Sequence, residues 1–205
     1  ALGASVFLSR ILGLVRDKVI SYYFGTGTEA DVYFNAFVVP DFLNYLLAGG
    51  YFSITLVPLL AKAFANNEED GWRFFSAAVC WSALAIAVLT ALAWVFTPTL
   101  TPLIAPGFSP EARERLALFL RIILPAQACF LPGACFTALL SFRLQFAEQA
   151  LKPLVYNGCI IVCGVVWLHL FPERGMEGFC WGVLVGAALG SLLLPHFIKG
   201  KKCHD

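Results

Sequence analysis

The stretch "SRILGLVRDKV" (residues 9–19) carries Arg10, Arg16, Asp17 and Lys18 inside a run that otherwise reads as membrane helix. A single Arg, Lys or Asp at the centre of a membrane helix costs roughly 2.5–3.5 kcal/mol. Four such groups facing lipid would therefore cost on the order of 10 kcal/mol. Lys18 can reduce its share by snorkelling, and Arg16 can pair locally with Asp17. At helical spacing Arg10 and Asp17 fall on almost the same face with Gly13 between them, whereas Arg16 lies about 120° from Arg10. Such a face suits the wall of a water-filled cavity better than a lipid contact. Ionisable groups inside a membrane are functional-site candidates.

The next segment adds polar groups: Asp31, Asn35, Asp41 and Asn44 interrupt "ADVYFNAFVVPDFLNYLLAGGYFS". A break at Pro40 frees backbone groups that only a cavity or neighbouring protein can satisfy. Two uses of the charges follow. Arg10 or Arg16 could pair with Asp17, Asp31 or Asp41 and lock the first two segments together. Alternatively, the arginines could hold an anion, because the guanidinium fork suits phosphate and carboxylate oxygens. A lipid-linked pyrophosphate is a natural candidate, since its charge needs a polar route through the bilayer.

The elements that must position these residues are membrane helices. Of the 205 residues 60% are hydrophobic and only 13% charged, about half the charge of a soluble domain. A span needs about 20 apolar residues, and the sequence divides into about six: residues 2–24, 30–64, 72–96, 112–142, 151–171 and 178–198. The second is too long for one straight span and is read as broken at Pro40 and Gly49-Gly50. The predicted fold class is all-α, a polytopic membrane bundle forming one transmembrane domain over residues 1–205. Alternating the loops puts Lys62, Arg73, Arg143, Lys152, Lys199, Lys201 and Lys202 on one side, against Arg113, Arg115 and Arg174 on the other. Positive charge favours the cytoplasm, so both termini are expected there. No basic segment precedes the first apolar run, so no cleavable signal peptide is expected.

Several features have structural readings. Six of the seven cysteines fall inside apolar runs, where thiols behave as small hydrophobes. Cys159 and Cys163 have helical i,i+4 spacing but no neighbouring His or acid, so no metal or other cofactor is expected. Pro98, Pro102, Pro106 and Pro110 recur every fourth residue and predict a kinked interfacial segment that cannot continue a helix. "NNEEDG" (residues 66–71) reads as a solvated loop. Gly178, Gly182, Gly186 and Gly190 form a stripe of the kind that lets membrane helices approach closely. No HExxH, GxSxG or P-loop motif points to an enzyme. The only basic cluster lies beside the membrane, which argues against nucleic acid and for anionic lipid.

In order along the chain, "SRILGLVRD", "FGTGTEAD", Pro40, Phe52-Ser53, "VPLLA" and "APGF" resemble the MurJ/MviN family of bacterial lipid II flippases. That family lies within the superfamily of multidrug, oligosaccharidyl-lipid and polysaccharide exporters. The motifs run from about Leu8 to Phe108 and continue more loosely through "SFRLQFAEQALKPLVYN". The resemblance implies flipping of undecaprenyl-pyrophosphate-linked peptidoglycan precursor by alternating access in the bacterial inner membrane. It also implies two pseudo-symmetric lobes, of which this chain resembles the N-terminal one, so a second lobe or a partner chain is expected. Ser9, Arg10, Arg16, Asp17 and Asp31 match the family's motif positions. The implied roles are headgroup contact for Arg10 and Arg16, and positioning or gating for Asp17 and Asp31. Asn44, Tyr45 and Gly49 stand where the family usually has Arg, Arg and Glu. That departure keeps open another polyprenyl-linked saccharide as cargo, and the alternative of a non-transporting cell-envelope scaffold.

Overall fold

The computed structural model describes residues 2–48, 51–143 and 151–199. Among them there is no strand: the chain is a helical bundle. Helix α1 spans Leu2–Phe24. It stops where Gly25 takes φ +58°, the left-handed conformation that glycine adopts without a Cβ clash, and the Gly25 N–H donates to the Ser21 carbonyl at 2.9 Å. Helix α2 (Thr28–Asn35) then starts from Gly27 with Glu29 and Asp31 in its first turn, where carboxylates oppose the helix dipole favourably.

The second segment is broken, as its composition predicts. Helix α3 (Val38–Ala48) begins two residues before Pro40. Proline is tolerated in a first turn, but it cannot donate to the carbonyl four residues back, so the chain turns at Ala36-Phe37. The expected second break at Gly49-Gly50 lies outside the described residues. Helix α4 follows at Tyr51–Asn66.

Two loop expectations fail for the same reason. "NNEEDG" is a helix start: Asn67 caps α5 (Glu68–Val95), its Oδ1 accepting the Asp70 N–H at 2.7 Å. The proline-rich stretch does hold a helix, α6 (Thr97–Ile104). Pro98 sits in its first turn, and the Thr101 hydroxyl donates to the Pro98 carbonyl at 3.4 Å, the acceptor that Pro102 leaves empty. The segment after it does turn, and Ser109 caps α7 (Pro110–Ile123). A 3₁₀ turn around Pro125 (Leu124–Ala126) links α7 to α8 (Gln127–Phe142). Helix α9 is Leu151–Leu170 and α10 is Glu177–Lys199.

Among the described residues, three stretches are long and apolar enough to cross a membrane: Glu68–Val95, Pro110–Phe142 and Leu151–Leu170. Helix α1 is long enough but carries its four charges, and α4 is short. Along α5, Trp81, Leu84, Val88, Leu92 and Val95 are all exposed, a helical face suited to lipid.

The glycine stripe has the structural role expected of it. A Cβ on Gly182 would lie 2.7 Å from the Ile160 Cα and 2.9 Å from the Cys159 carbonyl. One on Gly186 would meet the Tyr156 carbonyl at 2.9 Å, and Gly190 faces the Lys152 stem. Moving along α10 thus moves backward along α9, so the two helices run antiparallel in near backbone contact. Within a bilayer no water exclusion drives helices together, so contact of this kind supplies the attraction. Phe179, fully buried with Tyr33 and Phe119, joins this pair to α2 and α7 in one core cluster. A second cluster, around Leu60, Phe75 and Leu139, ties α4, α5 and α8.

Candidate functional site

Arg16 stands at the junction of α1 and α9. Its Nε and Nη2 both donate to Asp17 Oδ1, at 3.0 and 2.9 Å, and its Nη1 donates to Asn157 Oδ1 at 3.1 Å. Asn157 is buried on α9 and is itself fixed, because its Nδ2 donates to the Pro153 carbonyl at 3.0 Å. Three of the five guanidinium N–H groups are therefore held, and two have no partner among the described residues.

Two pockets meet at this side chain. One, of about 370 Å³, is lined by Arg16, Tyr33, Phe34, Phe37, Asp41 and Tyr156. The other, of about 340 Å³, is lined by Arg10, Gly13, Leu14, Arg16 and Asp17. The shared face of Arg10, Gly13 and Asp17 expected from helical spacing is present in the second pocket. A Cβ on Gly13 would meet nothing within 4 Å, so this glycine widens the pocket and supports no close packing. Arg16 belongs to both pockets, although it lies off that face.

The carboxylates change the electrostatics expected of a purely cationic cavity. Asp17 neutralises part of Arg16, and Asp41 lines the same pocket as Arg16. Asp31 is exposed and Ser9 half-buried, and neither lines these two pockets. Asn44 is half-buried and Tyr45 79% exposed; Gly49 lies outside the described residues. Of the carboxylates considered as partners, Asp17 pairs with Arg16, and among the described residues the contact of Arg16 beyond α1 is to α9 and not to the second segment. The charge pattern of α1 does not point to Asn157, whose signal in the sequence is a lone amide in the apolar run "LVYNGCIIVCGVV".

A second polar cluster lies at the end that carries the α1–α2 turn. Arg115 on α7 donates from Nε to Glu29 Oε1 at 2.8 Å and from Nη1 to Glu177 Oε1 at 2.6 Å. It also donates to the Arg174 carbonyl, and the Met176 N–H donates to Glu29 Oε2 at 3.3 Å. This clasp joins the starts of α2, α7 and α10. At the opposite end, Arg143 lies 5.1 Å from the ring centre of Trp72 and 5.9 Å from that of Phe64.

With this geometry in view, comparison with known proteins gives a consistent result. The family profile described as "Lipid II flippase MurJ" matches residues 20–204. The chain is 31% identical to a "Probable lipid II flippase MurJ" of Vibrio cholerae, over 96% of this chain and 39% of that protein. It is 32% identical to the "Lipid II flippase MurJ" of Thermosipho africanus, over 90% of this chain and 38% of that one. A solved structure titled "Lipid II flippase MurJ, inward closed conformation" superposes with a TM-score of 0.79 at 28% identity, covering 100% of this chain and 42% of the other. The chain thus spans about two-fifths of the length of these relatives.

Proposed function

The chain belongs to the lipid II flippase MurJ family, and on that premise we propose that residues 1–205 form one lobe of a flippase for undecaprenyl-pyrophosphate-linked peptidoglycan precursor. The cargo moves from the cytoplasmic to the periplasmic leaflet of the inner membrane, and both termini face the cytoplasm. This is transport: no bond in the cargo is made or broken. Alternating access needs two lobes rocking about a midplane site, so a second lobe closes the cavity from the other side. The six-span count belongs to this reading.

The observation that carries the proposal is Arg16, anchored on one side by Asp17 and Asn157 and opening into two pockets with donors to spare. A guanidinium held in this way presents a fixed fork to pyrophosphate oxygens. Arg10 lines the second pocket and supplies further positive charge. Asp17 orients Arg16, while Asp31 and Ser9 act at the periphery during gating. The departures at Asn44 and Tyr45 remove two positive charges from the second segment and that at Gly49 removes one negative charge, a net loss of positive charge that places more of the headgroup recognition on Arg16 and Arg10. Every named relative reported above carries the lipid II title, which favours this cargo over the other saccharide carrier and over the scaffold.

The test replaces the matching lobe of the Vibrio cholerae relative with this chain, in cells depleted of their own flippase. The wild-type chimera is expected to restore growth, and Arg16→Ala and Arg10→Ala to abolish it at equal membrane abundance. Rescue by both substituted chimeras would remove the headgroup site and leave the scaffold reading.

A further inference from the structure

Away from Arg16, a groove of about 410 Å³ lies between α5 and the α7–α8 junction, lined by Ala87, Thr90, Ala91, Trp94 and Val95 on α5 with Pro125 and Ala128 opposite. We propose that this groove holds one phospholipid with an anionic headgroup, its phosphate on Arg121 and one acyl chain along the alanines. None of these residues lines the Arg16 pockets, so the inference is independent of the flippase cargo.

The argument starts from proline. Pro125 has no N–H to donate to the Arg121 carbonyl, and the Trp94 indole Nε1 donates to that oxygen instead, at 3.3 Å. The same contact brings the Arg121 guanidinium to 5.3 Å from the Trp94 ring centre. Arg121 is exposed, and among the described residues no carboxylate lies within 4.0 Å of it. An unpaired arginine is costly against lipid tails and settles at headgroup depth, where tryptophan also prefers to sit. The charge left open at this end of the groove therefore matches a lipid phosphate.

Below it the groove changes character in the order that a phospholipid does. Thr90, one turn from Trp94 on α5, is 7% exposed, and its hydroxyl has no partner among the described residues. Threonine in a helix has two accessible χ1 rotamers, and the one turned toward the groove offers a donor to a glycerol ester carbonyl. Ala91 flanks Thr90, and Ala87, about one turn further down α5, continues with Ala128 as an apolar channel. Phosphate, ester and chain thus meet arginine, threonine and alanine in sequence.

The experiment is native mass spectrometry of the purified chain titrated with dioleoylphosphatidylglycerol or dioleoylphosphatidylcholine. One phosphatidylglycerol is expected to be retained in preference to phosphatidylcholine. Arg121→Gln is expected to weaken that retention about tenfold, the scale of a lost charge-assisted contact. Thr90→Val, close in shape, weakens it less, and Ala91→Phe, an exposed position that fills the channel, abolishes it. Arg73→Gln, which removes an exposed charge at the other end, leaves it unchanged. Equal loss in Arg73→Gln would mean general electrostatic attraction and overturn the site, as would retention in Ala91→Phe. Displacement of phosphatidylglycerol by undecaprenyl phosphate at equal concentration would make the groove a polyprenyl site and overturn the assignment as well.

Discussion

Arg16 differs from the other charges of α1 in being held from two directions. Asp17 takes one edge of its guanidinium and Asn157 takes a third N–H from across the α1–α9 junction. Asn157 can do this because its own amide is fixed to the Pro153 carbonyl. A hydrogen bond to a charged group contributes about 1.5–3 kcal/mol. Asn157→Ala is therefore expected to lower transport by the growth-rescuing chimera about tenfold or more, with membrane abundance unchanged. Arg16→Lys keeps the charge but loses the fork, and a single ammonium cannot reproduce the three donors now engaged. Its expected activity lies near that of Arg16→Ala. Wild-type activity in Arg16→Lys would show that charge alone suffices and that the fork is irrelevant. None of this coupling is visible from α1 alone. Helical spacing places Arg10 and Asp17 on one face correctly, but the partner of Arg16 is 141 residues away, and only tertiary packing brings it near.

Among the elements, the α9–α10 pair offers the sharpest contrast between equal substitutions. Gly182→Ala places a Cβ 2.7 Å from the Ile160 Cα, against backbone that cannot move aside as a side chain could. Overpacking of this kind costs about 1–3 kcal/mol, and the melting temperature of the purified protein is expected to fall. Gly158→Ala, on the facing helix, meets nothing within 4 Å and gains about 1 kcal/mol of helix propensity, so it should melt at or above the wild-type temperature. Identical shifts in the two variants would show that the stripe is not a packing surface. The stripe was legible because four-residue spacing of glycine has few uses in a membrane helix. The prolines and "NNEEDG" were less legible, because local hydrogen bonds decided them: Thr101 supplies the Pro98 carbonyl, and Asn67 caps α5. Residue counting sees the helix breaker and the polar run, but it does not see which orphaned backbone group each side chain can reach.

At the scale of the whole molecule, the clasp around Arg115 ties together the ends of three helices that are distant in sequence. Glu29, Arg115 and Glu177 come from α2, α7 and α10, and their contacts span 86 and 62 residues of sequence. In the sequence Arg115 counts only as one positive charge on the poorer side of the membrane, because nothing local announces two glutamates from distant helices. On the proposed function, a lobe that rocks against a partner must keep its helix ends registered while the cavity between lobes opens and closes, and a three-helix clasp at one end would provide that registration. Arg115→Met would leave two carboxylates adjacent without the guanidinium between them, Glu29 keeping the Met176 N–H and the buried Glu177 keeping the more distant Arg174 at 3.9 Å. Removing one member of a buried ion cluster costs about 3–5 kcal/mol; partial exposure of Arg115 and Glu29 lowers the expected loss to about 2 kcal/mol. Adding Glu29→Gln and Glu177→Gln to Arg115→Met removes the stranded charges and should recover most of that loss, measured as melting temperature in detergent. Transport by the chimera separates stability from registration. If the triple variant regains the melting temperature yet carries cargo poorly, the clasp serves the rocking motion; if it regains both, the cluster contributes to folding alone.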